Sequence, residues 1–236
     1  MRIVAVDHER YDLELTEPYT IAYETIHKAS NFILTVETDF GVVGYGCAAP
    51  DPGITKESPE DVENSIMTIK AAIVGANPFH YARILKELRP NVGASALAMI
   101  DLALFDIISK KAGVPLYQYL GGYRNEILTS ITIGIMPLNE TLSKAKNFVN
   151  DGFGILKLKG GLDVEEDIEK IQAIRKNHPK IKLRFDGNQG YSLEQALHFV
   201  ENTNSADIEI LEQPTSVNSE EMMGVLSKST PIPVMA

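Results

Sequence analysis

Polar and β-branched positions alternate over the first fifty residues of the chain. The segments RIVAVDHERYDLEL and NFILTVETD carry this alternation, and DFGVVGYG adds glycines close behind them. A period of two residues is typical of strands with one buried face, and glycines commonly mark the turns that join such strands. The pattern predicts a small antiparallel meander over residues 1–50.

From Ser58 onward the apolar positions recur at helical spacing. SPEDVENSIMTIKAAIV begins with Ser58 as a candidate N-cap, Pro59 at the first helical position and acids in the first turn. NPFHYARILKELRP predicts a second helix. ASALAMIDLALFDIISKKAG predicts a third, which is apolar on most faces and should therefore be buried, and Gly113 follows it as a C-terminal signal.

After GVPLYQYLGG the pattern becomes periodic. Short β-rich runs begin near Leu128, Ile155, Ile181, Ile208 and Ile232, so subtraction gives spacings of 27, 26, 27 and 24 residues. Helix-like segments such as DVEEDIEKIQAIRKNHP lie between these runs. Strand–helix units of this length predict a parallel sheet, which either a (β/α)₈ barrel or a doubly wound sheet would contain.

Two lysines interrupt one of the apolar runs. In ILKLK, alternation places Lys157 and Lys159 on one face and Leu156 and Leu158 on the other. A buried ammonium group must be paired, or its pKa falls. If the leucines pack against helices, both lysines point away from those helices, which in a barrel means inward.

The next two strands also end in ionisable residues. In IKLRFDGNQG, Lys182, Arg184 and Asp186 share a face, with Asp186 at the C-terminal end. In IEILEQP, Ile208, Ile210 and Glu212 are expected to share a face, and Glu212 is again last. Functional residues of a (β/α)₈ barrel come from these strand ends, so consecutive ends with charges predict one site.

The residue types at these ends suit a particular chemistry. Asp186 and Glu212 offer the hard oxygen ligands that Mg²⁺ prefers. Lys159 is a candidate base, and Lys157 is a helper cation whose charge would lower the pKa of its neighbour toward neutrality. The alternative is an interior network of ion pairs with no chemistry.

Composition narrows the class of protein. A net charge of −10 argues against sequence-independent nucleic-acid binding and against an anionic membrane surface, since both need clustered cations. The chain has one cysteine, no signal-peptide pattern and no apolar run of membrane-spanning length. Its histidines are scattered, so zinc is not expected, and no P-loop points to a nucleotide. We expect a cytoplasmic protein with a small-molecule substrate and a homo-oligomeric assembly.

Several sequence motifs, taken in their order along the chain, resemble those of a known family. ALAMIDLALFDIISKKAG, PLYQYLGG, KLK, FDGNQGY and LEQP occur in this order, and with them the chain resembles the enolase superfamily. The resemblance is to its muconate-lactonizing and mandelate-racemase-like enzymes, most of all to dipeptide epimerases. It implies an α+β capping domain over residues 1–125. It also implies the N-terminal part of a TIM-type (β/α) barrel over residues 126–236, with about four units and the start of a fifth strand.

The resemblance also implies roles for single residues. Lys159 would abstract the proton α to a carboxylate, and Lys157 would sit beside it. Asp186 and Glu212 would be two of three carboxylates on one Mg²⁺ ion that stabilises an enediolate, a pairing of base and metal that is general to this superfamily. Thr132, on the first barrel strand, would hydrogen-bond the substrate. The implied activity is a Mg²⁺-dependent epimerisation of dipeptides.

Two loops are expected to line the substrate pocket. YTIAYETIHKAS carries Tyr19, Glu24 and His27, and APDPGITKE carries Asp51. Family members that prefer an acidic dipeptide tend to place a cation in the first loop. An acid at Glu24 therefore favours a neutral or cationic dipeptide over Ala-Glu. Muconate cycloisomerase, o-succinylbenzoate synthase, N-acylamino acid racemase and a non-catalytic binding protein remain alternatives.

Length is the largest departure from the family pattern. Eight units of this spacing would extend to about residue 335, whereas this sequence stops at Ala236. The family's third metal carboxylate and its second acid/base lysine have no counterpart here. We expect these residues to be a piece of a longer enzyme; the alternative is a partner chain that completes the barrel.

Overall fold

The chain divides into two compact units. A computed structural model describes residues 1–22 and 24–236. Residues 1–16 and 28–125 form the first unit, and residues 17–27 and 126–236 form the second. Each unit has its own hydrophobic core. The sequence analysis placed all of residues 1–125 in one domain, whereas the structure groups residues 17–27 with the second unit.

The first unit contains the predicted meander and the predicted helices. Its three strands lie in the order β1-β2-β3, and β2 pairs antiparallel with β3. Ser58 caps the first helix through the backbone N–H of Asp61, as expected from the sequence. A short 3₁₀ turn, Pro78–His80, precedes the second helix. The elements are β1 (Ile3–Thr20), β2 (Thr25–Thr38), β3 (Val43–Ala48), α1 (Pro59–Ile73), α2 (Tyr81–Leu88), α3 (Ala94–Ala112) and α4 (Leu116–Tyr119). The last residues of β1 and the first residues of β2 are grouped with the second unit.

The buried helix α3 packs directly on the backbone of β3. A Cβ atom at Gly46 would lie 1.8 Å from the carbonyl oxygen of Met99, so only glycine allows this approach. The sequence analysis assigned the glycines of this segment to turns, which is wrong for Gly44 and Gly46 because both lie inside β3. Gly41, with φ +70°, does lie in the turn.

The second unit is a parallel sheet covered on one side by helices. Its five strands lie in sequence order, β4-β5-β6-β7-β8, which is the order in a barrel wall. A doubly wound sheet would reverse direction at a switch point, and the described strands contain none. The elements are β4 (Ile131–Ile133), α5 (Leu138–Asn150), β5 (Ile155–Lys159), α6 (Val164–Asn177), β6 (Lys182–Asp186), α7 (Leu193–Thr203), β7 (Ile208–Glu212), α8 (Glu220–Ser229) and β8 (Val234–Met235), with a 3₁₀ turn at Asn204–Ala206.

The first strand of this sheet begins later than predicted. Leu128 was expected near its start, but β4 begins at Ile131, and Ile127 and Leu128 are 77% and 66% exposed. Apolar residues in a row resemble a buried strand in the sequence, but these two side chains remain largely exposed to solvent. The starts predicted at Ile155, Ile181, Ile208 and Ile232 lie within two residues of the observed strands.

A register shift in β7 corrects one predicted face. Leu183 pairs with Ile208, but Arg184 pairs with Ile210, so one residue of β7, Glu209, is extra. Ile208 therefore lies in the core beside Leu183 and does not share a face with Ile210 and Glu212. The prediction that all three share a face is wrong for Ile208, because alternation counts residues and takes no account of a bulge.

Candidate active site

Four charged side chains meet at the C-terminal ends of three neighbouring strands. The register places Lys159 beside Asp186, and Asp186 beside Glu212. Lys157 Nζ lies 2.9 Å from Asp186 Oδ2 and 2.5 Å from Glu212 Oε2. Lys159 Nζ lies 2.7 Å from the same Asp186 oxygen. The two carboxylates thus pair both ammonium groups, as expected for lysines in a buried strand.

Burial and pairing act in opposite directions on this cluster. Burial alone would lower the pKa of Lys157, but hydrogen bonds with Glu212 and Asp186 outweigh it and leave that pKa above its usual value. Burial alone would raise the pKa of Asp186, but its hydrogen bonds with Lys159 and Lys157 hold it below the usual range. Lys157 is thus a fixed cation and Asp186 a fixed anion.

Backbone hydrogen bonds join the loops that follow these strands. The N–H of Gly160 donates to the carbonyl of Asp186 at 3.0 Å, and the N–H of Gly187 donates to the carbonyl of Glu212 at 3.0 Å.

Left-handed backbone conformations are costly for residues other than glycine and are often kept at functional sites. Three residues just after the strand ends adopt them: Asn188, Gln189 and Gln213.

A second layer of charge lies below the cluster. Arg184 Nε contacts Glu209 Oε2 at 2.8 Å, and Lys182 Nζ contacts the other oxygen at 3.1 Å. The hydrogen bond with Arg184 is the largest influence on Glu209 and holds its pKa below the usual range. The extra residue of β7 therefore supplies the counter-charge for the cations of β6.

The residues predicted to line the pocket fall into separate places. Thr132 lies beside Lys157 in the register, and Thr132 and Tyr19 line one cavity of about 440 Å³. Glu24 and His27 are exposed in the second unit. Asp51 belongs to the first unit, where its carboxylate accepts hydrogen bonds from the N–H groups of its own loop. The substrate-binding roles of these residues stay predictions.

The sequence analysis missed a buried carboxylate and its phenol partner. Asp167 on α6 is 3% exposed and accepts a 2.6 Å hydrogen bond from the hydroxyl of Tyr191, which is 4% exposed. A signal was present, because Asp167 precedes the buried Ile171 and Ile174 by four and seven residues. Helical periodicity thus placed this acid on the buried face of α6.

Two family models match the chain. The model described as "Mandelate racemase / muconate lactonizing enzyme, N-terminal domain" matches residues 4–121, and the model described as "Enolase C-terminal domain-like" matches residues 140–236. The chain belongs to the mandelate racemase/muconate lactonizing enzyme family of the enolase superfamily. Its capping domain and its barrel wall are those of this family, as the sequence motifs predicted.

Relatives in this family are similar along the whole chain. The L-Lys-D/L-Arg epimerase of Desulforapulum autotrophicum is 40% identical over 233 residues, which cover 97% of this chain and 66% of the relative. The crystal structure of the dipeptide epimerase from Enterococcus faecalis, complexed with Mg and L-Leu-L-Tyr, matches with a TM-score of 0.95 and 36% identity. That match covers 100% of this chain and 68% of the other.

A third relative is also a structure with its ligands. The dipeptide epimerase from Methylococcus capsulatus, complexed with Mg and L-Arg-D-Lys, has a TM-score of 0.92 and 29% identity, covering 99% of this chain and 67% of that one. The chain thus spans about two thirds of the length of the relatives it matches.

Within its described residues, no helix is both long enough and apolar enough to cross a membrane.

The donor atoms at the strand ends of this family member suit Mg²⁺. Asp186 and Glu212 present carboxylate oxygens side by side, and hard oxygen donors are what Mg²⁺ prefers. The side-chain oxygen of Asn188, two residues after Asp186, is buried and has no hydrogen-bond partner among the described residues. The described residues contain no group of three acids, histidines or cysteines that could hold a metal. The donor chemistry of Asp186 and Glu212 fits a hard cation held by two carboxylates.

Proposed function

We propose that the protein is a Mg²⁺-dependent epimerase of dipeptides, which removes the proton on the carbon α to a carboxylate. The observation that carries this proposal is the cluster of Lys157, Lys159, Asp186 and Glu212 at three consecutive strand ends. Two lysines and two carboxylates in this order supply a base, a fixed cation and ligands for a divalent ion. We also propose that the protein is cytoplasmic and forms a homo-oligomer, as predicted from the sequence.

Asp186 and Glu212 would hold the cation. When bound, Mg²⁺ supplies the positive charge that stabilises negative charge developing on the substrate oxygen. Lys157, whose pKa is raised by its hydrogen bonds with Glu212 and Asp186, would remain an ammonium group and would bind the substrate carboxylate. These residues together make the α-proton acidic enough for an amine to remove it.

Lys159 would take that proton. A lysine accepts a proton only as the neutral amine, and here Lys159 donates a hydrogen bond to Asp186. Lys159 would first release its extra proton to solvent, and its lone pair would then be free to accept the proton of the substrate. The C–H bond then breaks, its electron pair stays on the substrate, and the proton moves to Lys159 Nζ.

Cationic dipeptides are the substrate class that we propose. Glu24 is an exposed acid that lies in the same unit as the lysine cluster. An exposed carboxylate favours a cationic side chain and repels an acidic one. The relative with 40% identity is named for L-Lys-D/L-Arg dipeptides, which supports the same class.

Exchange of the α-proton in D₂O tests the function, because this exchange needs Lys159 and no second base. We expect the protein with Mg²⁺ to incorporate deuterium into Lys-Arg faster than into Leu-Tyr, and into Ala-Glu slowest. Chelation should abolish the exchange, and added Mg²⁺ should restore it. Lys159→Ala should lower the rate by about 10³-fold, whereas Lys146→Ala, which removes an exposed lysine on α5, should leave it unchanged.

Other results would contradict parts of this proposal. No exchange with any dipeptide, but exchange with an N-acylamino acid or turnover of muconate, would move the protein to another activity of its family. A clear preference for Ala-Glu would refute the argument from Glu24. Full exchange in Lys159→Ala would refute the assignment of the base.

A further inference from the structure

A buried carboxylate on α6 contacts the turn that follows the proposed base. Asp167 Oδ2 accepts a 2.8 Å hydrogen bond from the N–H of Gly161, two residues after Lys159. The contact is close along the whole turn, because a Cβ atom at Gly160 would lie 2.4 Å from the same oxygen. The position of Asp167 therefore sets where the turn leaves β5.

The same oxygen also holds the segment around the proposed metal ligand. Tyr191 donates its hydroxyl to Asp167 Oδ2 at 2.6 Å, and its ring stacks on Phe185 with centroids 6.1 Å apart. Phe185 directly precedes Asp186, and Tyr191 closes the loop that follows it. One carboxylate thus contacts the turn after the base and, through Tyr191, both sides of Asp186.

Burial makes this arrangement rigid and costly to disturb. Asp167 is 3% exposed, and burial raises the pKa of its carboxyl although the two hydrogen bonds oppose that shift. Its other oxygen lies 4.0 Å from the ammonium of Lys170, which is itself buried. Removing an acceptor at such a place leaves a buried N–H and a buried hydroxyl without partners.

We propose that Asp167 is a positioning residue that fixes Lys159 relative to Asp186, through Gly161 on one side and Tyr191 on the other. It touches neither substrate nor metal, and acts only on the groups that do. This inference rests on the function proposed above for those two residues. Partners that orient the ligands of a metal commonly change metal affinity or activity by about 10- to 100-fold when they are removed.

The test compares Asp167→Asn with a matched control, Asp163→Asn, in the purified chain. Asp163 is the N-cap of the same helix and accepts hydrogen bonds only within that helix's first turn in the described contacts, so its replacement removes an equal charge four residues away. Asparagine keeps the size of the side chain in both variants and one acceptor oxygen, but at position 167 it replaces two charge-assisted hydrogen bonds with weaker neutral ones. Three quantities are measured: amide hydrogen exchange over residues 160–162 without metal, Mg²⁺ affinity by calorimetry, and kcat and KM for Lys-Arg.

In Asp167→Asn we expect exchange at the Gly161 amide to rise by about 10-fold or more and Mg²⁺ affinity to fall by about 10-fold. We expect kcat to fall by 10- to 100-fold, with KM changed by less than about 3-fold. A loss of packing alone would leave kcat per folded molecule unchanged. Asp163→Asn should match the wild type in all three quantities.

Two outcomes would overturn the proposal. One is a folded Asp167→Asn whose exchange, Mg²⁺ affinity and kcat equal those of Asp163→Asn. If Asp167→Asn does not fold, Tyr191→Phe decides, because it keeps the Gly161 hydrogen bond and loses only the hydroxyl. An unchanged Mg²⁺ affinity and an unchanged kcat in that variant would equally overturn the proposal.

The two proposals fail in different ways. If the wild type shows no α-proton exchange, the proposed function falls. In that case, faster amide exchange and weaker Mg²⁺ binding in Asp167→Asn would still support the positioning role. If the wild type is active and the variant behaves like the control, the positioning role falls and the function stands.

Discussion

Asp186 shows how one side chain organises the site at the scale of the residue. Its carboxylate is 2% exposed, contacts two ammonium groups through Oδ2, and accepts the N–H of Asn188 through Oδ1 at 3.0 Å. A buried ion that loses one partner leaves an uncompensated charge, which typically costs about 3–5 kcal/mol. The three contacts therefore make Asp186 the least replaceable member of the cluster.

Two glycines with similar backbone conformations give a prediction at this scale. Gly161 has φ +104° and Gly152 has φ +94°, both in the region that favours glycine. A Cβ atom at Gly161 would lie 2.1 Å from the carbonyl oxygen of Gly187, whereas a Cβ atom at Gly152 meets no atom within 4 Å. Gly152→Ala should lower the free energy of unfolding by about 1 kcal/mol. Gly161→Ala should lower it by about 2 kcal/mol more, because the neighbouring loop must move.

Urea titration of the two variants checks this prediction. The midpoint should shift further for Gly161→Ala at an unchanged slope. Equal shifts would mean that only the conformational term matters and that the loops after β5 and β6 can separate freely.

The residues of the site differ in how far the sequence could predict them. Lys157, Lys159, Asp186 and Glu212 were found because alternation along a strand is a local property and the strand ends were close to correct. Asp167 was missed because its importance depends on Gly161 and Tyr191, which only the packing of α6 brings to it. Contacts between elements leave little trace in a single sequence.

At the scale of the element, Arg175 ties one helix to two strands. Its guanidinium lies near the C-terminal end of α6 and donates to carbonyl groups before β6 and before β7. The distances are 2.7 Å to Ala206, 2.7 Å to Ile181, 2.9 Å to Pro179, and 3.4 Å to both His178 and Asp207. A planar group with five N–H donors suits such a set of acceptors, and lysine could not replace it.

Replacing Arg175 should loosen these connections together. We expect Arg175→Met to lower the free energy of unfolding by about 2–4 kcal/mol, because several carbonyl groups lose their donor. Lys176→Met, an exposed neighbour on the same helix, should change it by less than about 0.5 kcal/mol. Thermal melting should show a drop of about 4–16 °C for the first variant. Matching melts for both would show that water replaces the guanidinium at no cost.

Among the strands, β6 and β7 show where sequence patterns succeed and fail. In β6 the predicted alternation holds, with Leu183 and Phe185 in the core and Arg184 and Asp186 on the other face. In β7 the extra Glu209 changes the face of Ile208, and no feature of IEILEQP marks a bulge. Regular periodicity was therefore predictable, and the local exception to it was not.

At the scale of the whole molecule, charge is distributed unevenly. The chain carries a net charge of −10, but the open face of the sheet carries four basic and three acidic side chains. Such a face attracts an anionic group such as a substrate carboxylate, although the chain as a whole is acidic. The groups on this face are Lys157, Lys159, Lys182, Arg184, Asp186, Glu209 and Glu212.

Binding of Mg²⁺ should stabilise the whole fold by linkage. At a concentration 100 times the dissociation constant we expect about 2.7 kcal/mol of added stability, which raises the melting temperature by about 5–10 °C. Glu212→Gln removes one proposed ligand from a side chain that is 28% exposed, so the variant should fold yet lose most of this rise. Sodium chloride at equal ionic strength serves as the control. An equal rise in both proteins would show that Mg²⁺ acts elsewhere.

The bulge at Glu209 has a consequence for how this strand can change over evolution. Without it, Ile208 and Glu212 would have the same parity, and a strand could not bury the first while presenting the second beside Asp186. With it, β7 consists of two half-strands of opposite parity that join at one residue. In a regular strand, an insertion or deletion of a single residue moves the side chains on one side of it to the opposite face of the sheet. In β7 such a change at the bulge would affect only the residues that precede Glu209. A relative without the bulge should therefore be aligned with this segment by starting at Glu212 and counting toward the N-terminus. An alignment that starts at Ile208 and counts forward would be displaced by one position after the bulge.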